Sequence, residues 1–281
     1  MTLSIELKIA EQLARQAGER ALKLQHLGVA RYKDNFEGPV TEGDLQADQI
    51  ICEGLKQSFP DDLIISEESY VAGSLVPEAH RIWFIDPIDG TKDYAAGGAE
   101  YSVMIGLCIN NQPVLGIVFE PATGILWRTD GESAERVEAD GSIHSLNVQL
   151  RQISATGPTL AASHHHRSEF LDFLESSLPI SKIIQKSSVG LKIALIVDGK
   201  ADAYISSGRR IKLWDTCAPV AILIASGGVF KTIQGNTPDY MGPIQHGIEI
   251  SAATPHASLW LADRLQKVIE QWTTLRKIKK F

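Results

Sequence analysis

The stretch WFIDPIDGTKDY, residues 83–94, concentrates side chains that can do chemistry. An apolar run ends on Asp86, and Pro87, Asp89, Gly90 and Thr91 follow at once. Pro87 restrains the backbone, so Asp86 and Asp89 can turn toward one point instead of alternating across a strand. Gly90 permits close approach of the main chain, the amides after it can receive an anion at a helix start, and Thr91 adds a hydroxyl. Further carboxylates stand at other element boundaries: Asp44 in VTEGD, just before a helix, Glu67 and Glu68 after DLIIS, and Asp215 opening WDTCAPVAILIASGG. Carboxylates gathered at one point repel each other unless a hard cation neutralises them. An all-oxygen ligand set with phosphate as co-ligand suits magnesium.

These positions need a scaffold to bring them together. Leu3, Leu7, Ala10, Leu13, Ala17, Ala21 and Leu24 recur at spacings of three and four, which predicts an amphipathic opening helix. RYKDNFEGPVTEGD reads as a loop. A second helix is expected from near Thr41 to about Phe59, with Ile51, Leu55 and Phe59 inward. The period then changes. DLIIS, RIWFID, YSVMIGLCI, PVLGIVFE and GILWRT read as strands of a largely antiparallel sheet, with hairpin turns at 110–113 and 121–124. Past the polar stretch DGESAERVEADGSIHSLNVQL, strand-like TLAAS, SKIIQ and ADAYIS alternate with helices from about Ser168, Val189 and Asp215, as in an α/β fold. The expected division is an N-terminal α+β lobe over 1–150, carrying most of the candidate ligands, and a C-terminal α/β lobe over 151–281, carrying Asp215 and the specificity residues.

Composition narrows the function classes. The chain has 281 residues, 44% of them hydrophobic, enough for a sizeable core. A formal charge of −7 argues against a nucleic-acid polymer as partner, because backbone binding needs a positive footprint. A small phosphorylated substrate stays open, since a metal ion can supply the positive charge. Cys52, Cys108 and Cys217 lie far apart with no CxxC pair, which favours a reducing compartment. No apolar signal core opens the chain and no stretch nears the length of a membrane span, so a cytoplasmic protein without stable membrane insertion is expected. The closing LRKIKK reads as a solvated helix end.

Each acidic position has a plainer role when taken alone: Asp215 as an N-cap, Thr41 with Asp44 as a capping box, Glu67 and Glu68 as solvated loop charges. The DxDGT pattern of haloacid-dehalogenase-type phosphatases, with aspartates at i and i+2, is not met, because here they stand at i and i+3 with proline between. In order and spacing, EE after a strand, DPIDGT and WDTCAPVAILIASGG resemble the three signatures of the inositol monophosphatase superfamily of lithium-sensitive, magnesium-dependent phosphatases. The likeness runs from the first helix to near the end. It implies an α/β fold, a layered αβαβα sandwich of the inositol monophosphatase/fructose bisphosphatase type, with the site between two lobes. It also implies two Mg2+ ions, with a third, weaker one near Glu67. Glu67, Asp86 and the carbonyl of Ile88 would hold one ion. Asp86, Asp89 and Asp215 would hold the second. Thr91, paired with Asp44, would orient or deprotonate a water, and the amides of Gly90 and Thr91 would grip the phosphate, with Glu67 and Asp215 also facing the substrate.

The superfamily covers inositol phosphates, fructose bisphosphate and 3'-phosphoadenosine 5'-phosphate. Ser188, Gly190 and Lys192 in SSVGLKIALIVDGKADAYIS resemble the Ser-x-Gly-x-Lys pattern of bacterial 3'(2'),5'-bisphosphate nucleotidases, in which a helix start with a lysine one turn in would hold a second phosphate. The plainer alternative makes Lys192 a surface lysine. In AASHHHRSEF, histidines replace an arginine of that pattern; His164 or His166 would meet the nucleotide, or the histidines simply stand in an exposed loop. Arg209 and Arg210 would favour a doubly charged substrate. The expected activity is hydrolysis of 3'-phosphoadenosine 5'-phosphate, with its sulfated form as a further substrate, to AMP and phosphate in sulfur assimilation or nucleotide recycling. Inositol monophosphatase or fructose-1,6-bisphosphatase activity is the alternative, and a homodimer is compatible with the resemblance. A phosphate-binding regulator without turnover is disfavoured by the intact ligand set and Thr91/Asp44 pair.

Overall fold

The computed structural model describes residues 3–27, 33–35, 38–71, 73, 75–164, 169–206, 211–246 and 249–278. Helix α1 (Ser4–His26) buries Ala10, Ala14, Ala17, Gly18 and Ala21, small residues that let it lie close on the neighbouring sheet, while Leu7 is only partly buried. Helix α2 (Glu42–Ser58) starts from Thr41 as N-cap and ends at Phe59, with Ile51 and Leu55 buried. The segment between them, expected as a loop, carries a hairpin of β1 (Lys33–Asn35) and β2 (Gly38–Val40).

Seven strands follow in sequence order across one sheet: β3 (Leu63–Ser66), β4 (Arg81–Asp89), β5 (Ser102–Ile109), β6 (Gln112–Glu120), β7 (Ile125–Thr129), β8 (Ala134–Val137) and β9 (Ile143–Leu146). Only β3 and β4 pair parallel. Asn110 and Asn111 turn the β5–β6 hairpin at φ of 50° and 65°, a region asparagine tolerates. The polar stretch after β7 is a correction to the sequence reading, because it forms β8 and β9. Ala134 and Val137 point inward, but β9 is exposed from Ile143 to Ser145, so its apolar signal is weak.

The second sheet runs β11-β10-β12-β14-β13, comprising β10 (Thr159–Ser163), β11 (Lys182–Lys186), β12 (Ala203–Ser206), β13 (Val229–Thr232) and β14 (Ile250–Ala253). Strand β10 pairs parallel with β11 and β12, and β14 pairs antiparallel with β12 and β13. Helices α5 (Val189–Val197) and α6 (Leu213–Ala225) lie between the two sheets. Helices α4 (Glu169–Ser177) and α7 (Pro255–Ile278) cover the outer face of the five-stranded sheet, as α1 and α2 cover the seven-stranded one. The result is the layered αβαβα sandwich.

Two glycines set how deeply α6 sits. Gly106 and Gly116 face each other on β5 and β6. A Cβ on Gly106 would stand 2.6 Å from Ala218 N, and one on Gly116 would collide with the Ala218 carbonyl oxygen. Without those methyl groups the α6 backbone rests directly on the sheet, which brings the start of α6 to the ends of the strands.

Candidate active site

Strand β4 does not stop at Asp86, as the sequence reading has it, but continues through Pro87 to Asp89. Asp86 pairs with Met104 and Asp89 with Ser102, so three steps of β4 match two of β5. In a regular strand, positions i and i+3 face opposite sides; the one extra residue of this bulge turns Asp89 back to the side of Asp86. Gly90 then adopts φ of 103°, and a side chain there would press on the carbonyl of Glu100. The short helix α3 (Thr91–Ala95) starts immediately after.

Asp44 is not ahead of α2 but in its first turn, where it completes a capping box. Its Oδ2 accepts from the Thr41 amide at 2.7 Å, and the Thr41 side chain accepts in return from the Asp44 amide. Its other oxygen, Oδ1, accepts from Thr91 Oγ1 at 3.2 Å, while Thr91 Oγ1 also lies 3.0 Å from the carbonyl of Ile88. The capping role and the site role therefore coexist on two oxygens of one carboxylate. Burial pushes Asp44 up to about 6.

Asp215 is likewise inside its helix and not its N-cap. Lys212 holds that position, and the Lys212 amide donates to Asp215 Oδ2 at 2.8 Å. Burial, then the charges of Glu67, Asp89, Asp215 and Asp44, push Asp86 well above the usual carboxylate range. Asp215 is raised in the same way by burial and by Glu67 and Asp89. Glu67 is raised by burial, opposed by Lys212. Glu68, read from sequence as a solvated charge, is pushed up to about 8 by burial and then by Asp44 and Glu67. Four chain segments thus deliver carboxylates that feel one another's charge.

This arrangement fits a cation by charge and by donor type. Asp86 Oδ1 is buried without a hydrogen-bond partner, a costly state for a carboxylate oxygen that a hard cation would relieve. Among the described residues no group of three or more acidic, histidine or cysteine side chains already converges at ligand distance. Holding an ion therefore takes rotation of these side chains toward one centre.

The start of α5 differs from expectation. Ser188 is its N-cap, but Ser188 Oγ donates to Asp89 Oδ2 at 2.6 Å and the Gly190 amide donates to the same oxygen at 2.9 Å. The anion at this helix start is the carboxylate of Asp89, not a phosphate. Lys192 is 2% exposed, which contradicts the surface-lysine reading. Its Nζ donates to the Ser187 carbonyl at 3.2 Å and lies 5.3 Å from the Tyr204 ring, with Asp89 and Asp215 favouring its charge against burial.

Three groups at the rim carried no sequence expectation. Glu100 lies 3.3 Å from Lys186 Nζ, 3.3 Å from His164 Nδ1 and 3.4 Å from Ser187 Oγ. Lys186 and His164 follow one another in space because Ser163 and Lys186 are partners at the ends of β10 and β11. Lys212 Nζ lies 3.4 Å from Glu67 Oε1. Lys212 stands in the stretch SSGRRIKLWD, where the arginines drew notice. Arg209, Arg210 and His166 lie outside the described residues.

The chain matches the inositol monophosphatase family over residues 3–270. The 3'(2'),5'-bisphosphate nucleotidase CysQ of Buchnera aphidicola subsp. Acyrthosiphon pisum is 34% identical over 233 residues, covering 82% of this chain and 85% of the relative. That of Salmonella typhimurium is 32% identical over 235 residues, covering 82% and 91%. Among solved structures, Mycobacterium tuberculosis SuhB has a TM-score of 0.74 at 22% identity, covering 95% of this chain and 98% of that one. Inositol monophosphatase-II from Staphylococcus aureus MSSA476 has 0.77 at 21% identity, covering 95% and 96%. At those identities the structures speak for the fold alone. The family match over nearly the whole chain, in the expected sandwich, means that the chain belongs to the inositol monophosphatase family and is a phosphatase.

Proposed function

We propose that the protein is a magnesium-dependent 3'(2'),5'-bisphosphate nucleotidase that converts 3'-phosphoadenosine 5'-phosphate to adenosine 5'-phosphate and phosphate. The observation that carries this is the unpartnered, buried Asp86 Oδ1 among mutually repelling carboxylates beside the Thr91–Asp44 pair. The relatives that bear the nucleotidase name direct it to that substrate class.

Glu67, Asp86, Asp89, Asp215 and the Ile88 carbonyl would hold the ions. Four carboxylates match the charge of two divalent ions, which leaves Lys192 and Lys212 to balance a phosphate dianion. Glu68 adds a carboxylate where a third ion near Glu67 would sit. Bound magnesium supplies Lewis acidity that makes water a usable nucleophile near neutral pH and offsets charge on the leaving oxygen. A water hydrogen-bonded to Thr91 Oγ1 passes its proton there as the Thr91 proton moves to Asp44 Oδ1, a carboxylate whose raised proton affinity suits a general base. The amides of Gly90 and Thr91 face the phosphate.

Asp89 fills the α5 start, so the second phosphate falls to Lys186 and His164, at the carboxyl ends of adjacent parallel strands where ligands of α/β sheets bind. Glu100 holds both in place. The protein works in the cytoplasm, where unpaired thiols such as Cys52, Cys108 and Cys217 persist, recycling nucleotide left by sulfur assimilation.

One assay tests the reading: turnover with magnesium on 3'-phosphoadenosine 5'-phosphate, inositol 1-phosphate and fructose 1,6-bisphosphate. The expected kcat/KM is highest on the nucleotide by at least about tenfold, the gain from one well-placed charged contact. A higher value on either sugar phosphate replaces it with that activity.

A further inference from the structure

Lys212 occupies a position that the capping of α6 alone does not explain. Its backbone serves the helix: the amide donates to Asp215 Oδ2 and the residue pairs with Gln245 in an isolated bridge. Its side chain lies back over Trp214, with Nζ 4.9 Å from the ring centroid, and ends 3.4 Å from Glu67 Oε1. The side chain is 19% exposed and that of Glu67 32% exposed, so the pair is partly shielded from water. One ammonium, on the residue whose amide orients Asp215, thus stands against the Glu67–Glu68 turn.

We propose that Lys212 is a built-in counter-cation: it steadies the carboxylates when no divalent ion is present and competes with the ion for Glu67. The proposal rests on the reading of Glu67, Asp86, Asp89 and Asp215 as ion ligands. A flexible lysine suits the role better than a fixed ligand does, because its stem can stay on the indole while the ammonium withdraws from Glu67. The ion-free protein then keeps its crevice formed, at the cost of weaker ion binding.

The test compares wild type with Lys212→Met, which keeps an apolar stem on Trp214, and Lys212→Arg, which keeps the charge. Scanning calorimetry in EDTA and in saturating magnesium gives the ion-induced rise in Tm, and titration calorimetry gives the magnesium affinity. Lys212→Met is expected to melt lower in EDTA, to bind magnesium about tenfold more tightly, the size of one partly screened charge pair, and to show a larger ion-induced rise. If it folds only with magnesium, that dependence is the same result in its extreme form. Lys212→Arg should stay near wild type in all three. An equal fall of Tm with and without magnesium at unchanged affinity would make Lys212 structural and overturn the proposal, as would weaker magnesium binding by Lys212→Met. Absence of any magnesium binding by wild type would overturn the ion-site reading as well.

Discussion

Asp44 offers a direct measure of the electrostatic load in the crevice. Its carboxyl is held near 6 against an ordinary 3.8, with burial the first cause. A shift of about two units corresponds to about 3 kcal/mol between protonated and charged forms. Between those two values the folded chain binds a proton that the unfolded chain has released. Stability of the ion-free protein therefore falls as pH rises from about 4 through about 6, and the loss is complete above that. In Asp44→Asn the titration is gone, while the side-chain oxygen can still accept from the Thr41 amide. For a chain of this size 1 kcal/mol moves Tm by about 2 °C, so in EDTA the wild type should lose about 6 °C across that window relative to the variant. The comparison needs calorimetric scans of both proteins from pH 4 to 8. Parallel pH profiles would refute the reasoning, because they would mean that burial does not disfavour the Asp44 charge. Turnover should also fall in Asp44→Asn, by about 10²-fold or more, if Asp44 Oδ1 takes the proton from Thr91.

Four further outcomes are expected. Thr91→Val should lower kcat by about 10²-fold or more with little change in magnesium affinity by titration calorimetry, since its hydroxyl serves the proton relay to Asp44. Magnesium at a hundred times its Kd should stabilise the wild type by about 2.7 kcal/mol, and a scan with no shift would count against the ion site. Lys186→Ala should raise KM for 3'-phosphoadenosine 5'-phosphate far more than for inositol 1-phosphate; equal effects on both would remove Lys186 from recognition of the second phosphate. Gly116→Val should destabilise by about 3 kcal/mol, read from urea unfolding, and depress turnover with it, because α6 can no longer rest on β6 and carry Asp215 inward.

Local patterning along the chain was enough to place most elements and to single out most of the acidic residues. Apolar spacing of three and four marked α1 and α2, and alternation marked β3 to β7; that the acidic motifs EE, DPIDGT and WDTCAP share one site was implied only by their resemblance to a family's signatures. Spacing and alternation are local properties, written in neighbouring residues. Weakly patterned pieces were not legible: β9 is exposed along most of its length, and the β1–β2 hairpin hides in a polar stretch. What each charged group meets follows from contacts that exist only in the folded chain. The i, i+3 spacing of Asp86 and Asp89 is compatible with opposite faces until the bulge against Met104 and Ser102 turns them together. The start of α5 looks like a phosphate site until Asp89, 99 residues earlier, is found bonded to Ser188. Lys192, expected to hold a second phosphate or else to lie on the surface, takes the place of a buried counter-charge. A charge's role depends on the field of groups brought near it by the fold, and that field has no trace in the residues on either side.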